Sequence, residues 1–422
     1  MTGMRLAWLE FTLLQRDRAV RSAVAVLLLA GLVALAHGEA FIGRQNAALE
    51  NRDQLQTEEH ARVLGPLPAS ADAGEQMYYL FFHTVRQPSA WAPFAIGQRD
   101  VQAYNLKIRL HALQGQLYDA DLGNPLLSFL GHFDLAFVFV VLAPLLTIGI
   151  TFNVFSGEEE GGTWPLLRSQ HTAPWRILAR RYGLRAAVIW CAMMLLLGVA
   201  TLRLGVALDR SWALVALGSL LYVLVWVSAA IAVSALRRSS EFTVLALFVV
   251  WVVWTVLGPA VVNASASVRF QLPEALELTV LQRQGFHGAW DEPLPDVMAS
   301  FYESYPEWRG VPVPSGTYSN AWYYAMHQRG DDVARDAARR YRDGVLARER
   351  WIARASWLFP PAAFERLLTR VARTDLQAHI AYLDSVATYH EQLKRHFFPA
   401  IFSGATVGSV DWSAAPRHHH RD

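Results

Sequence analysis

Long uncharged apolar runs separated by polar stretches set the pattern of this chain, and they predict its elements. Five runs, at 22–42, 133–155, 186–208, 212–236 and 242–262, approach the roughly 20 residues that a helix needs to cross a bilayer. The second is expected to be kinked or loosened at Pro144. Ahead of the first, residues 4–18 (MRLAWLEFTLLQRDR) place Leu6, Leu9 and Leu13 on one helical face. Trp8, Phe11 and Leu14 widen that face, while Arg5, Glu10, Arg16, Asp17 and Arg18 are polar. The spacing predicts an interfacial helix lying along the membrane surface. No small-residue cleavage pattern follows the first run, so it is read as an uncleaved span.

The intervening stretches read differently. Residues 43–131 are polar in character: a charged helical piece (44–64), a Pro/Ala/Gly stretch, and an aromatic segment at 77–100 broken by Pro88 and Pro93, which either anchors at the membrane interface, the favoured reading, or forms part of a substrate-facing wall. The tail, 263–422, has no further run of spanning length; its best candidate, 397–410, is short and contains Pro399. Its first half is irregular. Its second half predicts two amphipathic helices, 332–358 and 362–398, joined at Pro360-Pro361 into a hairpin over 332–398. The expected organisation is therefore an interfacial helix and first span (1–42), an insertion (43–131), spans two to five (132–262) and a mainly helical domain (263–422). The fold class is an all-α polytopic membrane protein with about five spans.

Composition agrees, with 53% hydrophobic and 18% charged residues, and the net charge of +2 gives no reason to expect a nucleic-acid partner. The basic residues carry more information by position. Arg5, Arg16, Arg18 and Arg21 precede span one; Arg168, Arg176, Arg180, Arg181 and Arg185 follow span two; Arg237 and Arg238 lie between spans four and five. All three groups share one side, and the preference of basic residues for the cytoplasmic side puts the N-terminus inside and both 43–131 and the tail outside.

Candidate chemistry is sparse. The single cysteine, Cys191, lies in an apolar run and is read as a buried small apolar residue. No phosphate-binding loop and no nucleophile elbow occur. His390 and His396 are six apart, which is wrong for a zinc pair on one helical face and predicts a solvated face. His418, His419 and His420 could pick up a transition metal but read first as a flexible tail, and His37, Glu39 and Arg203, near span ends, as snorkelling groups. The match at Asn263 to a glycosylation acceptor is taken as chance. No catalytic, metal or cofactor-binding residue is assigned.

One polar loop stands apart. Residues 157–182 (GEEEGGTWPLLRSQHTAPWRILARRY) join an acidic cluster, a glycine break, an apolar turn and a basic helix between spans two and three. This segment resembles the first cytoplasmic loop of bacterial ABC-transporter permeases of the type 2 exporter class. Gly157 and Glu158 match the family's Gly-Glu, Gly162 and Thr163 its Gly-Thr, Leu166 and Leu167 the apolar turn, Ser169 and Gln170 the linker, and 176–182 the basic helix. Residues 10–18 resemble the family's elbow helix, with Trp8, Glu10, Phe11, Arg16 and Arg18 as its marked positions. The long insertion between the first two spans is similar to one branch of that family.

The resemblance implies a permease subunit in the bacterial inner membrane, itself not an enzyme, beside a cytoplasmic ABC ATPase that binds ATP and Mg. It also implies a second permease chain, identical or related, contact with membrane lipid, and a periplasmic partner for the outer domains. The coupling surface would comprise Gly157, Glu158, Glu159, Glu160, Gly161, Gly162, Thr163, Trp164, Leu166, Leu167 and Arg168. The three glutamates would supply docking charge, the glycines a sharp turn, and Thr163 a cap for the next helix. The family has six spans and five are counted here; the chain ends before a sixth, a partner supplies it, or 397–410 is a degenerate version. The alternative reading is a membrane-anchored extracytoplasmic enzyme, assembly factor or scaffold.

Overall fold

A computed structural model describes residues 3–117, 133–169, 174–272, 275–310 and 319–420. Among these, five helices are long and apolar enough to cross a membrane: Arg18–Leu64, Leu135–Glu160, Pro174–Leu204, Arg210–Ser234 and Ser240–Arg269. The chain is an all-α polytopic membrane protein. An amphipathic helix, α1 (Gly3–Arg16), precedes span one, and Asp17 separates them by accepting from the Ala19 N–H at 2.9 Å.

Spans two and five share an irregularity. In each, a π-helical turn (Val138–Leu142 and Val253–Leu257) lies just before a proline, Pro144 and Pro259. Proline has no N–H to close the ladder, and the widened turn absorbs the missing bond. The loosening expected at Pro144 takes this form.

The polar segments on the far side of the spans from α1 form a single body. Its core joins Phe82 and Ile108, partners in a two-stranded antiparallel pair (β1 Phe82–His83, β2 Lys107–Ile108), to Phe301, Tyr324, Phe397 and Phe398 from the tail. The insertion and the tail are bonded directly. The Asp331 carboxylate accepts from the Leu113 and Gln114 N–H groups at 2.8 and 3.0 Å, and Tyr382 and Thr84 share a hydroxyl contact at 2.5 Å. Residues 397–402, part of the weak candidate for a sixth span, are the buried end of a domain helix.

The tail helices depart from the expected hairpin. After α4 (Ala275–Gly288) and α5 (Leu294–Ser304), the first long helix, α6, runs Asn320–Ala355, starting twelve residues early because Ser319 caps it through the Trp322 N–H. The second predicted helix is two: α7 (Pro360–Ala372) and α8 (Leu376–Phe402). Arg373 takes a left-handed conformation (φ 54°) and Asp375 caps α8, an end-and-restart that apolar spacing alone does not reveal.

Helix α7 leaves the polar body and packs among the spans. Phe364, Leu368 and Ala372 belong to the core of the spanning bundle, and the Phe364 ring stacks on Tyr222 of span four at 4.6 Å. Gly218 makes room for it, since a Cβ there would lie 2.6 Å from Leu367. Its C-terminal end is held by Arg86, whose guanidinium donates to the Arg373 carbonyl at 2.9 Å, and by Ser89, which donates to the Ala372 carbonyl at 2.5 Å.

Several single residues also differ from expectation. Cys191 faces the outside of the bundle rather than its core. Arg203 pairs with Glu39 at 2.8 Å instead of snorkelling alone. His390 and Lys394 are buried, not on a solvated face, with Lys394 donating to Gln328 at 2.7 Å. His418 is a buried strap: its ring accepts from the Val85 N–H at 3.0 Å and contacts the Ser385 hydroxyl at 3.0 Å.

Candidate functional site: the loop between spans two and three

At the end of span two the chain makes one short helix, α2 (Ser156–Glu160), turns, and makes a second, α3 (Trp164–Ser169). They are the first and second loop helices. Gly161 ends the first, and Gly162 stands at φ 67°, a conformation that side-chain-bearing residues rarely adopt. The Thr163 hydroxyl, expected to cap the second loop helix, donates instead to the Glu158 backbone oxygen and carboxylate. Residues 170–173, with Gln170 of the predicted linker, lie outside the described residues.

Two of the three acidic side chains are bonded within the chain. The Glu158 carboxylate accepts from Arg181 of span three, and the same guanidinium reaches Glu10 of α1 at 3.5 Å. The Glu160 carboxylate accepts from the Ser240 N–H at 2.6 Å and its hydroxyl at 2.8 Å, at the first turn of span five. The Ser156 hydroxyl meets the Ser240 hydroxyl at 2.8 Å. Glu159 alone of the three has no side-chain partner among the described residues.

Aromatic contacts complete the fastening. Trp164 packs edge-on against Phe155 at 5.0 Å, and Arg237 lies 5.9 Å over the Phe155 ring. Tyr182, near the start of span three, donates to Ser234 at the end of span four at 3.0 Å. Thus α1 and spans two, three and five meet at this loop, with span four one contact away. Two large apolar side chains face outward, Leu166 at 66% and Trp175 at 65% exposed, among the exposed charges of Glu160, Arg168 and Arg176. Leu167 is half-buried.

In α1, Leu14 is buried in the bundle core, Phe11 is 40% exposed and Arg16 is exposed, as is Arg18 at the start of span one. The side chain of Trp8 lies outside the described residues. The sequence reading missed the receiving groups Arg181 and Ser240. The one available signal was the Ser239-Ser240-Glu241 helix start, because its polar N–H groups invite a carboxylate.

At the opposite end of the bundle a cavity of about 530 Å³ opens between the loosened parts of spans two and five. Val140 and Pro259 line it from the spans, Glu349 from α6, Glu365 from α7, and Asp134 from the start of span two. Asp134 accepts from the Ile96 and Phe137 N–H groups at 2.8 Å each, yet burial outweighs these bonds and pushes its carboxyl up to about 7. Nothing in the linear pattern brings α7 to this place, so the cavity was not legible.

A family model described as ABC-2 family transporter protein matches residues 4–287, and one described as a domain of unknown function (DUF3526) matches residues 276–421. No curated protein and no solved structure matches the chain. The first match takes in α1, the fastened loop and all five spans, well over half of the sequence, and the chain therefore belongs to the ABC-2 family of transporter proteins as a membrane-spanning permease of an ABC transporter.

Proposed function

We propose that this permease couples the closure of a separate cytoplasmic ABC ATPase, which binds ATP and Mg, to export across the bacterial inner membrane, with loop 157–182 as the ATPase docking site. The observation that carries this reading is the fastening of the loop. A push on a floppy connection is absorbed, whereas a push on a segment tied through Glu158 to Arg181 and through Glu160 to Ser240 is passed to spans three and five. The docking chemistry is then apolar: Leu166 and Trp175 face outward while Glu158 and Glu160 are engaged within the chain. Glu159 and Arg168 supply rim charge.

The distribution of Arg residues supports a cytoplasmic loop and N-terminus, with the polar body on the periplasmic side and open to a partner there. A second permease chain, identical or related, fits the open face of span five. Only 11% of that span's most apolar stretch is buried, against 61% for span two. The cavity between spans two and five would join the pathway once that face is covered.

The test is co-purification of the ATPase with the permease. Leu166→Glu and Trp175→Ala are expected to lower the retained ATPase at least tenfold, while Glu159→Gln lowers it only a few-fold. Retention of the full complement by both Leu166→Glu and Trp175→Ala would refute the assignment of the loop.

A further inference from the structure

The polar body holds a second and larger cavity, about 1270 Å³, which shares Asp100 and Val101 with the lining of the cavity between the spans. It lies between the segment around residues 100–116 and helix α4. Three features of its lining point to a ligand.

First, its walls are aromatic. Phe286 stacks on His327 at 4.2 Å between ring centres, and His327 stacks in turn on His111 at 4.3 Å with the ring planes 1° apart. Such a run of faces and edges suits a flat apolar body.

Second, polar atoms around it are unanswered. His327 is 8% exposed, and neither of its ring nitrogens has a hydrogen-bond partner among the described residues; the same holds for His111 Nε2 and Arg109 Nε. Buried groups of this kind are costly when left unpaired, so a cluster of them beside a cavity marks where a polar ligand group belongs.

Third, the charge is positive. Arg109, Arg283 and Lys107 line the cavity against one acid, Asp100. Lys107 is committed to Glu59 at 2.8 Å. Arg109 lies 3.9 Å over the Phe81 ring, and Arg283 is exposed with no ion pair among the described residues. Burial lowers the pKa of His111 to about 4 and that of His327 well below its ordinary value, so both rings are neutral near pH 7 and each offers one N–H.

A metal ion does not fit. Lone pairs of an imidazole lie in the ring plane, and two rings stacked in parallel cannot aim them at one point. No group of three metal-binding side chains occurs among the described residues.

We propose that this cavity is a binding site for an aromatic carboxylate, whose ring lies along Phe286 and Tyr78 and whose charge is met by Arg283 and Arg109. Its occupancy does not depend on the ATPase reading. The neutral imidazoles contribute N–H donors, and the arginines contribute the charge that selects an anion over an alcohol or an ammonium.

The test uses the full chain in discs of zwitterionic lipid, titrated by calorimetry with 2-naphthoate, 2-naphthylmethanol and 2-naphthylmethylamine. The carboxylate is expected to bind at least tenfold more tightly than either of the others. Arg283→Glu, a surface change that leaves the thermal midpoint in place, is expected to remove at least tenfold of that affinity, and Arg283→Lys to keep most of it. His327→Phe preserves the stack and loses the donor, and should weaken the carboxylate more than the alcohol, because a donor bonds a charged acceptor more strongly than a neutral one. Equal binding of the three probes, or wild-type affinity in Arg283→Glu, would overturn the proposal.

Discussion

At the scale of single residues, the loop shows how a charge cluster can mislead. Three consecutive glutamates look like a docking surface, yet Glu158 and Glu160 are spent on Arg181 and Ser240. Their removal should loosen the bundle before it weakens a partner. Glu160→Ala is expected to lower the thermal midpoint by a few degrees, with little loss of ATPase co-purification, which separates fastening from docking. Gly162 is a cleaner case: Gly162→Val places a branched side chain at φ 67° and should cost about 1–2 kcal/mol, read as a lowered midpoint.

Asp134 offers a pH test. Its folded pKa, about 7, lies above the ordinary value of 3.8, so the folded state holds a proton that the unfolded state has released. The stability this provides is full below pH 3.8 and is lost as the pH rises through 7. Asp134→Asn has no such proton to lose. The variant should therefore gain on the wild type as the pH moves from 6 to 8, measured as the difference between their thermal midpoints in detergent. A difference that stays flat across that range would count against a buried, titrating Asp134.

At the scale of elements, the five spans and the interfacial helix were legible because a bilayer imposes length and apolarity that no soluble context mimics. The proline irregularities were half legible: Pro144 announced a loosening, but its resolution as a π turn depends on how the ladder re-forms. Helix α7 was not legible. Its sequence, PPAAFERLLTRVA, is amphipathic with Glu365, Arg366 and Arg370, which reads as a surface helix of a polar domain. Tertiary contacts override that reading, because Phe364 and Leu368 enter the spanning core while the charged face turns to the cavity and to Glu349, which Arg366 meets at 2.6 Å. Phe364→Ala removes the stack on Tyr222 and should cost about 3 kcal/mol, with the loss appearing as accelerated proteolysis of the tail. Gly218→Leu should produce a similar loss from the opposite side of the contact.

At the scale of the whole molecule, the chain is a spanning bundle with a fastened loop at one end and a two-part polar body at the other. The two polar segments, separated in sequence by spans two to five, could not be joined by reading patterns, since Leu113 to Asp331 and Thr84 to Tyr382 are contacts of backbone and hydroxyl groups with no periodic trace. Helix α7 links that body to the bundle, and the loop links the bundle to whatever lies beyond its other face. A push at the loop can therefore reach the cavity between spans two and five through span five, which touches both Glu160 and, at Pro259, the cavity wall.

The central claim, that an ATPase docks on this loop, is tested most directly by cross-linking. Leu166→Cys in a Cys191→Ser background, co-expressed with the ABC ATPase and treated with a short bifunctional thiol reagent, is predicted to give one product of the combined mass, changed in yield by ATP. Labelling of the same cysteine by a membrane-impermeant maleimide added outside intact cells, with no cross-linked product, would contradict it.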